Sequence, residues 1–586
     1  MHKSWRFIPS LKAFAVILGA IAVLSLSISG AWAQTAGDSP GAVKKYVFMS
    51  SGATWGAAQD AAIARLGAAL DYRHAGSGIG IATSADPDFL KAAMKSGAFS
   101  KGGEDFMVQW QAPEQAIALE DTDIGEDVVN ASNDRFINAL WNMQAIDAPG
   151  AWAAGYDGTG ARVAVLDGGT CDLHPDVAPN LDIARSTSFV PGFTFNQDTG
   201  PATAFRHACH VAGIIAAVDN TIGTVGVAPK ATIIAVKVLH NGSGSFGQVI
   251  SGILYAADPI SAGGGGANII NMSLGATFAK GGGNTGAGAL VAAMNQAVNY
   301  ATSQNVLVVC SAGNNGIDMD HSGSITSIPA QSGSALSISA TGPTNWVGNP
   351  PGNFSQPATY TNYGHQAVWV SAPGGNDVNF GLPGNCGVAL VSPPGVAVQP
   401  CWVWDFVLSP GSQSGSYFFA EGTSMAAPHV SGVAALLVQK YPGISVGDLK
   451  TLIAQTAVNP DGGNGASPFH GHGFLNANNA VSGTMPQLAA KPAKPEVMAS
   501  AGKVELAIYG NGGASPQIAF TMPASGPARV DLYDVAGRRV AELFNGQAAA
   551  GRNLLLWTTS LRQGTYFARL TAGGVQTAKQ VVFLGQ

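Results

Sequence analysis

The 586-residue sequence has few charged side chains: Lys, Arg, Asp and Glu make up 11% of it, against about 25% in a typical globular protein. Its net charge is −6, with no run of basic residues, which argues against nucleic acid as a partner because such proteins carry a basic face. Beyond the N-terminal segment, no apolar stretch is long enough to cross a bilayer. We therefore predict a chain that does not bind nucleic acid and has no membrane span in its mature form.

Cysteine is also scarce, with Cys171, Cys209, Cys310, Cys386 and Cys401 in the whole chain. In an exported protein five thiols permit two disulfides and one leftover thiol. Cys386 and Cys401 are the natural pair because they lie in one loop-like segment, and their bridge would stabilise the fold by about 3 kcal/mol. A Cys171–Cys209 bridge is a second hypothesis. Cys310 lies in an apolar run and is predicted to be a buried free thiol.

The N-terminus has the composition of a secretory signal peptide. Three basic residues within the first twelve precede an apolar run over 13–28, and Ala31-Trp32-Ala33 supplies small residues at cleavage-site spacing. The alternative, a membrane anchor, is weakened because the run is short and contains serines. We predict a signal peptide over 1–33 and a secreted or extracellular protein.

The length predicts several domains after this signal. Residues 34–132 alternate strand and helix patterns and are predicted to form a small α+β unit. Its predicted strands are 46–49, 78–82 and 105–109, and its predicted helices 57–70 and 86–96.

Residues 133–483 alternate apolar strand runs with helical segments, which predicts an α/β domain with a doubly wound parallel sheet. The strand runs are 162–167, 233–238, 269–273 and 306–311, and the helical segments 210–217, 248–257, 290–303 and 429–440. In such sheets chemistry gathers at the carboxyl ends of the strands.

A Pro/Ala/Lys-rich linker is predicted over 484–512. Beyond it, residues 513–586 contain short strand patterns separated by glycines, which predicts an all-β sandwich. The predicted strands are 517–522, 528–533, 554–557, 565–570 and 579–583.

The chain is organised around Gly422-Thr423-Ser424-Met425-Ala426-Ala427-Pro428-His429-Val430-Ser431-Gly432. This pattern predicts a loop that delivers Ser424 to the first turn of a buried helix, where free N–H groups would stabilise an oxyanion. A serine at a helix start is more often only a cap, but a cap alone does not account for the whole stretch.

Two further polar residues suit acyl transfer by a serine, which needs a base and a carboxylate to orient it. Asp167 ends a buried strand run, where a carboxylate without a partner would be costly. His207 begins the stretch His207-Ala208-Cys209-His210. Two histidines at this spacing could bind a metal, but no acidic partner at zinc-site spacing accompanies them, so we predict no metal.

Together these motifs resemble the subtilisin-like serine proteases. The resemblance implies Ser424 as nucleophile, His207 as general base and Asp167 as the acid that orients it. The chain order Asp167, His207, Ser424 also matches the order in subtilisin. The sequence departs from the family pattern at Ala208 and Cys209, where Gly and Thr are usual, and at Gly168, where Ser or Thr is usual.

The family pattern also implies a substrate site. Asn314, in Ser311-Ala312-Gly313-Asn314, would be the oxyanion donor, although Asn before Gly or Asn is ordinarily a turn residue. The implied substrate-binding residues are Ser273, Leu274, Gly275, Ala312 and Gly313. A substrate strand would pair with this backbone.

By the same resemblance, residues 34–132 would be an inhibitory propeptide, with processing expected in the acidic stretch 114–134. The C-terminal unit resembles sorting or Ig-like modules of exported bacterial proteins, although a generic sandwich is equally compatible. No cofactor is certain, and calcium is implied by the family alone. We expect a monomer that acts on protein or peptide substrates.

Two functions compete: an active secreted serine endopeptidase, and an inactive scaffold that binds at the cell surface. The filled catalytic positions favour the first. We also predict that the aromatic-rich segment 375–421 forms a flap beside Ser424, held at its base by a Cys386–Cys401 bridge; the alternative is a surface hairpin away from the cleft.

Overall fold

The computed structural model describes residues 42–111, 116–119, 134–279, 283–348, 353–391, 394–460, 467–483, 504–509, 517–535, 537–548, 551–555 and 564–583. The predicted signal peptide, and most of the predicted processing stretch and linker, lie outside these residues. The chain divides into two compact units, residues 1–485 and 486–586, and each is described by itself.

The N-terminal part of the first unit is a small α+β fold on an antiparallel sheet of order β2-β3-β1-β4. Its elements are β1 (Lys44–Ser50), α1 (Ala57–Arg65), β2 (Ala69–His74), β3 (Ile79–Ser84), α2 (Phe89–Lys95), β4 (Phe99–Glu104), β5 (Met107–Gln109) and β6 (Ala116–Leu119). Aromatic rings including Phe48, Phe89 and Phe99 fill its core.

Three strands of this part, β2, β4 and β6, are absent from the sequence prediction. The predicted helix over 57–70 instead ends at Arg65, because Gly67 takes a φ of +66° and turns the chain into β2. β2 is an edge strand with mostly exposed or half-buried residues, so it lacks the apolar run that marks a buried strand.

The larger part of this unit alternates strands and helices. Its helices are α3 (Trp141–Ala145), α4 (Ala148–Ala153), α5 (His207–Ala216), α6 (Phe246–Ala257), α7 (Ala287–Ser303), α8 (Thr423–Lys440), α9 (Val446–Thr456) and α10 (Ala477–Ser482). Short 3₁₀ helices lie at Ile137–Ala139, Ala178–Asn180, Ile260–Ala262 and Cys401–Asp405.

The strands of this part are β7 (Arg162–Asp167), β8 (Thr187–Ser188), β9 (Thr232–Lys237), β10 (Ser243–Ser245), β11 (Ile269–Met272), β12 (Ala276–Ala279), β13 (Leu307–Ser311), β14 (Ile325–Ile328), β15 (Leu336–Thr341), β16 (Val370–Pro373), β17 (Asn385–Leu390), β18 (Gly395–Pro400), β19 (Val407–Pro410) and β20 (Tyr417–Ala420). Seven of them form one sheet of order β16-β15-β13-β11-β7-β9-β8, with every pairing parallel.

Two apolar cores sandwich the parallel sheet. One contains α5 and α8 side chains, and the other contains α6 and α7 side chains. Alternate residues of β7 enter each core: Val163 and Val165 the first, Ala164 and Leu166 the second. Burial on both faces explains the continuous apolar runs of these strands. The predicted α/β fold with a doubly wound parallel sheet is confirmed.

Both disulfides suggested by the sequence are present, Cys171–Cys209 and Cys386–Cys401. Cys310 is a buried free thiol whose pKa is raised by burial. The first bridge joins the loop after β7 to α5, and the second closes the hairpin of β17 and β18.

The C-terminal unit contains two antiparallel sheets, of order β21-β22-β25 and β24-β23-β26-β27. Its strands are β21 (Glu505–Tyr509), β22 (Gln517–Met522), β23 (Gly526–Asp534), β24 (Arg539–Ala548), β25 (Gly551–Leu555), β26 (Gly564–Ala572) and β27 (Val575–Phe583). Residues of both sheets, such as Phe520 and Leu570, share one buried cluster, which makes the unit a sandwich. β21 lies within the stretch that was assigned to the linker.

Across the described ranges, no helix combines the length and the apolar character that a membrane span requires.

Candidate active site

Ser424 lies in the first turn of α8, as the sequence predicts. The helix begins at Thr423, and its N-cap residue Gly422 has a φ of +145° that favours glycine. Ser424 is buried, and its hydroxyl donates to the carbonyl of Ser273 at 3.4 Å. The hydroxyl therefore lies at the positive end of a helix, where developing negative charge is stabilised.

The predicted acid and base meet at the carboxyl end of strand β7. Asp167 ends β7 and His207 begins α5, and the histidine Nδ1 donates to Asp167 Oδ2 at 2.7 Å. The other carboxylate oxygen accepts from the backbone N–H of Gly168 at 2.6 Å. Asp167 is 1% exposed, so its charge depends on these donors. With the Nδ1 proton held by Asp167, the Nε2 side of the ring can accept a proton.

Asn314 is fixed beside the nucleophile by its neighbour Thr423. Its side-chain oxygen accepts from the Thr423 backbone N–H at 2.9 Å and from the Thr423 hydroxyl at 2.7 Å. That hydroxyl in turn accepts from the N–H of Gly313 at 3.0 Å. Because both contacts use the amide oxygen, the amide nitrogen of Asn314 is left as the donor group. Asn314 is therefore not only a turn residue, because two hydrogen bonds from Thr423 hold its side chain in one orientation.

The predicted substrate-binding residues follow the carboxyl ends of β11 and β13, next to Thr423 and Ser424. Ser273 contributes its carbonyl, Leu274 is buried, and Gly275 offers its backbone N–H. Ala312 is buried at the end of β13, and Gly313 takes a φ of +104°. A Cβ at Gly313 would lie 2.5 Å from the Asn362 side chain, so only glycine fits there.

An extended segment of the N-terminal part contacts these residues. β5 pairs antiparallel with β10, and the Gly275 N–H donates to the Trp110 carbonyl at 2.8 Å. The Trp110 ring is buried against Phe246 and Phe278, with centroids 5.0 and 5.8 Å apart, and its indole N–H donates to Gly244. An extended segment that adds to the edge of a strand in this way is a recurring mode of peptide recognition.

The next residue of this segment, Gln111, reaches the catalytic pair. Its side-chain nitrogen lies 3.0 Å from Asp167 Oδ1, 2.9 Å from His207 Nδ1 and 3.2 Å from the Ser273 carbonyl. Further along, β6 pairs antiparallel with β20, the strand that leads into Ser424. The N-terminal part therefore pairs both with β10 and with β20, the strand that precedes Ser424 in the chain.

His210 has no part in this group. It is fully buried in α5, its Nε2 donates to the carbonyls of Val407 and Phe418, and burial lowers its pKa to about 3. This supports the structural role that the sequence suggested. The unusual Cys209 is buried in the Cys171 disulfide, so no free thiol lies near the base at this position.

A buried lysine lies behind Asp167. The Lys237 ammonium donates to the carbonyls of Gly168 and Leu239. Burial lowers its pKa to about 8, opposed by the charges of Asp198 and Asp167. Burial likewise raises the pKa of the nearby Asp198 carboxyl. Lys237 thus supplies positive charge near the Asp167 carboxylate.

Calcium, implied by the resemblance, finds little support in the side chains. No described group of three or more His, Cys, Asp or Glu residues could hold a metal. The buried Asp176 accepts from the Tyr417 hydroxyl, the Asn220 amide and the Thr224 N–H at 2.9–3.0 Å, and burial raises its pKa to about 7. Neutral donors therefore satisfy this carboxylate.

Most aromatic rings of segment 375–421 are buried, as their number suggested, although Phe380 is 48% exposed. Trp404 and Phe419 are fully buried with centroids 5.2 Å apart. The β17–β18 hairpin contacts the 3₁₀ helix near Asn138, which donates to the Ala389 carbonyl at 3.1 Å. Whether the hairpin acts as a flap on the cleft stays a prediction.

Sequence reasoning missed Gln111, Trp110 and the role of Thr423. Thr423 lay within the nucleophile motif, but its contact with Asn314 joins residues 109 positions apart. Gln111 and Trp110 had no local signal at all, because an extended segment that lies in a cleft looks like any other loop or strand.

Comparison with known proteins finds related sequences and folds. The pattern of the subtilase family, peptidase S8, matches residues 158–474. Subtilisin Savinase of Lederbergia lenta is 36% identical over 342 residues, which cover 58% of this chain and 98% of that protein. Thermitase of Thermoactinomyces vulgaris is 34% identical over 349 residues, covering 59% of this chain and 97% of that protein.

Among solved structures, the epidermin leader peptide processing serine protease of Staphylococcus aureus matches with a TM-score of 0.57 at 18% identity. The match covers 77% of this chain and 100% of that one. At this identity the likeness concerns the fold alone.

Proposed function

The chain belongs to the subtilase family and is a serine endopeptidase, and from this premise we propose that Ser424 is its nucleophile. His207 takes the hydroxyl proton through Nε2 and later returns it to the leaving amine. Asp167 keeps the His207 ring in the required tautomer and stabilises the imidazolium that forms. The observation that carries this assignment is the 2.7 Å hydrogen bond between His207 Nδ1 and Asp167 Oδ2. Ser424 lies in the first turn of α8.

The oxyanion of the tetrahedral intermediate would accept from the amide nitrogen of Asn314. Thr423 holds the amide oxygen through two hydrogen bonds, so the donor is oriented before substrate arrives. Preorganised donors of this kind stabilise charge that develops only in the transition state. The N-terminus of α8 adds its partial positive charge on the same side.

The residues of the N-terminal part, within 34–132, serve as an intramolecular inhibitor in this proposal. The pairings of β5 with β10 and of β6 with β20 support it, since the segment takes the place of a substrate. Gln111 contacts the catalytic pair, so the bond offered to Ser424 would lie between Gln111 and Ala116. That interval overlaps only the start of the stretch 114–134 that the sequence suggested.

Export to the cell exterior is also part of the proposal. The signal-like pattern over 1–33 supports it, as do the two disulfides, which persist in oxidising compartments. The C-terminal sandwich would then be a sorting or surface-attachment module of an otherwise monomeric enzyme. The test is a chain truncated after residue 483. If it is retained at the cell surface to the same extent as the full chain, the sandwich does not have that role.

The test is the Ser424→Ala variant of the full chain, produced with no other protease present. We expect it to lose peptide hydrolysis, to fail to react with a fluorophosphonate probe and to remain uncleaved between residues 111 and 134. The matched control is Ser431→Ala, which removes a hydroxyl from the same helix, where it bonds to Asn271. Normal maturation of the Ser424→Ala protein would show that another enzyme performs the processing. Probe labelling that persisted in it would exclude Ser424 as nucleophile.

A further inference from the structure

Gln111 makes an unusual contact for a side chain of a bound peptide, because it reaches the catalytic carboxylate itself. The residue as a whole is 9% exposed, so little of its surface reaches water. Two of the atoms around its nitrogen, Asp167 Oδ1 and the Ser273 carbonyl oxygen, lack a proton and can only accept. The amide nitrogen has two protons, one for each of these acceptors.

The match between two amide protons and two acceptor oxygens determines the orientation of the Gln111 amide. A flipped amide would place its oxygen against two other oxygens, with no proton between them. His207 Nδ1, the third neighbour, gives its proton to Asp167 Oδ2 at 2.7 Å, so its 2.9 Å approach to the Gln111 nitrogen is a contact and not a third donated bond.

The register of the segment follows from backbone contacts independent of the glutamine. Trp110 donates its N–H to the Gly242 carbonyl at 2.9 Å and accepts from Gly275 at 2.8 Å. The Trp110 ring fills its own pocket beside Phe246. A peptide bound through the same backbone atoms would present its corresponding side chain to the same two acceptors.

We propose that Asp167 Oδ1 and the Ser273 carbonyl form a subsite selective for carboxamide side chains, and that Gln111 is the chain's own ligand for it. The preferred substrates would be proteins with glutamine at this position of the bound strand. Glutamate is rejected because its carboxylate would face Asp167 and a carbonyl without a proton to share. Methionine, of similar length, fits but donates no hydrogen bond to either acceptor. This inference rests on the proposed inhibitory binding of the N-terminal segment.

Internally quenched peptides that copy residues 107–119 test the subsite, with Gln, Glu or Met at the position of Gln111. The enzyme is the processed form of the full chain. We expect the Met peptide to lose about 10- to 100-fold in kcat/KM, the range for a lost hydrogen bond to a charged group. The Glu peptide should lose at least about 100-fold near neutral pH, because like charges then meet.

The pH dependence separates a missing donor from a poor fit. The ratio of kcat/KM for the Glu peptide to that for the Gln peptide should rise as pH falls towards about 4, since a protonated glutamate regains a donor. The same three residues at position 107 are the control. Met107 is 59% exposed, so there the three peptides should agree within about 2-fold.

Equal kcat/KM for Gln, Glu and Met at position 111 would overturn the subsite, as would a ratio that does not change with pH. The products are identified by mass spectrometry. Cleavage of the Gln peptide outside the interval 111–116 would overturn the register, and the subsite with it.

The same substitutions in the full chain distinguish this inference from the inhibitory role. Gln111→Glu should shorten the latent period before activity emerges, whereas Lys95→Glu on the exposed end of α2 should not. A peptide preference without any latency would leave the subsite standing and reject the inhibitor. If the latent period does not change in Gln111→Glu and the three peptides have equal kcat/KM, the subsite is rejected. The inhibitory role of the N-terminal part would then be retained.

Discussion

Removing the Cys171–Cys209 disulfide should lower both the stability and the turnover of the enzyme. The bridge spans 38 positions of sequence, for which the loss of loop-closure entropy in the unfolded chain corresponds to about 4 kcal/mol. For a unit of 485 residues, an unfolding entropy of about 2.1 cal/mol/K per residue means that each kcal/mol shifts the melting temperature by about 1 °C. We therefore expect the Cys171→Ala, Cys209→Ala variant to melt about 4 °C lower.

The effect on turnover follows from where the two cysteines lie. Cys171 follows Asp167 in the loop after β7, and Cys209 lies one helical half-turn beyond His207 in α5. The bridge therefore ties the segment that carries the acid to the helix that carries the base. A misplacement of about 1 Å between catalytic groups can reduce the rate by about 10²-fold. We expect a lower kcat, with little change in KM because no residue of the cleft is altered.

The second disulfide is the matched control. Cys386–Cys401 spans 15 positions, for which the same relation gives about 3 kcal/mol. Its measured effect should be smaller, because β17 and β18 pair between the two cysteines and hold the loop ends together without the bridge. Its removal should leave kcat on a short peptide unchanged.

The stability measurement requires an inactive background, because an active protease digests its own unfolded molecules. Both double variants are therefore melted as Ser424→Ala proteins, and kcat and KM are measured separately in the active chain well below the melting temperature. A Cys171/Cys209 variant that lost stability but kept its full kcat would refute the bracing of the Asp167–His207 pair. A loss of stability equal to that of the control would refute the loop-length reasoning.

Three further predictions follow from the site and from the contacts of the N-terminal part. Asn314→Ala should lower kcat by about 10²–10³, a range adopted from subtilisin, with little change in KM. Asn315→Ala is its control, and a loss confined to KM would make Asn314 a turn residue. Asp105 bonds to the Ser245 hydroxyl and to the Gly247 N–H at the start of α6, and burial raises its pKa. The N-terminal segment should therefore bind most tightly below the ordinary carboxyl pKa, and less tightly as pH rises through the raised pKa of Asp105. In the Asp105→Asn variant the latent period should depend less on pH. An unchanged pH dependence would show that Asp105 is not the group responsible. Finally, Cys386→Ser with Cys401→Ser should alter cleavage of bulky proteins more than that of short peptides if the β17–β18 segment acts as a flap, whereas equal effects that track melting temperature would make the bridge purely structural.

Much of the fold could be predicted from local sequence because burial leaves a mark along the chain. The strands β7 and β13 are buried on both faces and therefore appear as continuous apolar runs. The edge strand β2 and the glycine-containing β4 have no such run, and both were missed. β21 was taken for linker, since a short strand beside a Pro-rich stretch carries little signal of its own.

The sequence by itself determined the identities of Asp167, His207, Asn314 and Ser424 as candidates, because each lies in a short motif at a strand end or a helix start. It also indicated the disulfide partners, since two cysteines share one hairpin and two others each follow a candidate catalytic residue. These features depend on neighbours along the chain, so they can be seen without the fold.

Only the tertiary structure decided what surrounds those residues. The Thr423–Asn314 bond, the occupation of the cleft by Trp110 and the approach of Gln111 to Asp167 join parts of the chain far apart in sequence. No local pattern of apolar or polar residues encodes such contacts, because they depend on how the strand order brings distant loops to one edge of the sheet. Local motifs therefore identify the candidate catalytic residues, whereas the contacts that position and cover them depend on the packing of the whole unit.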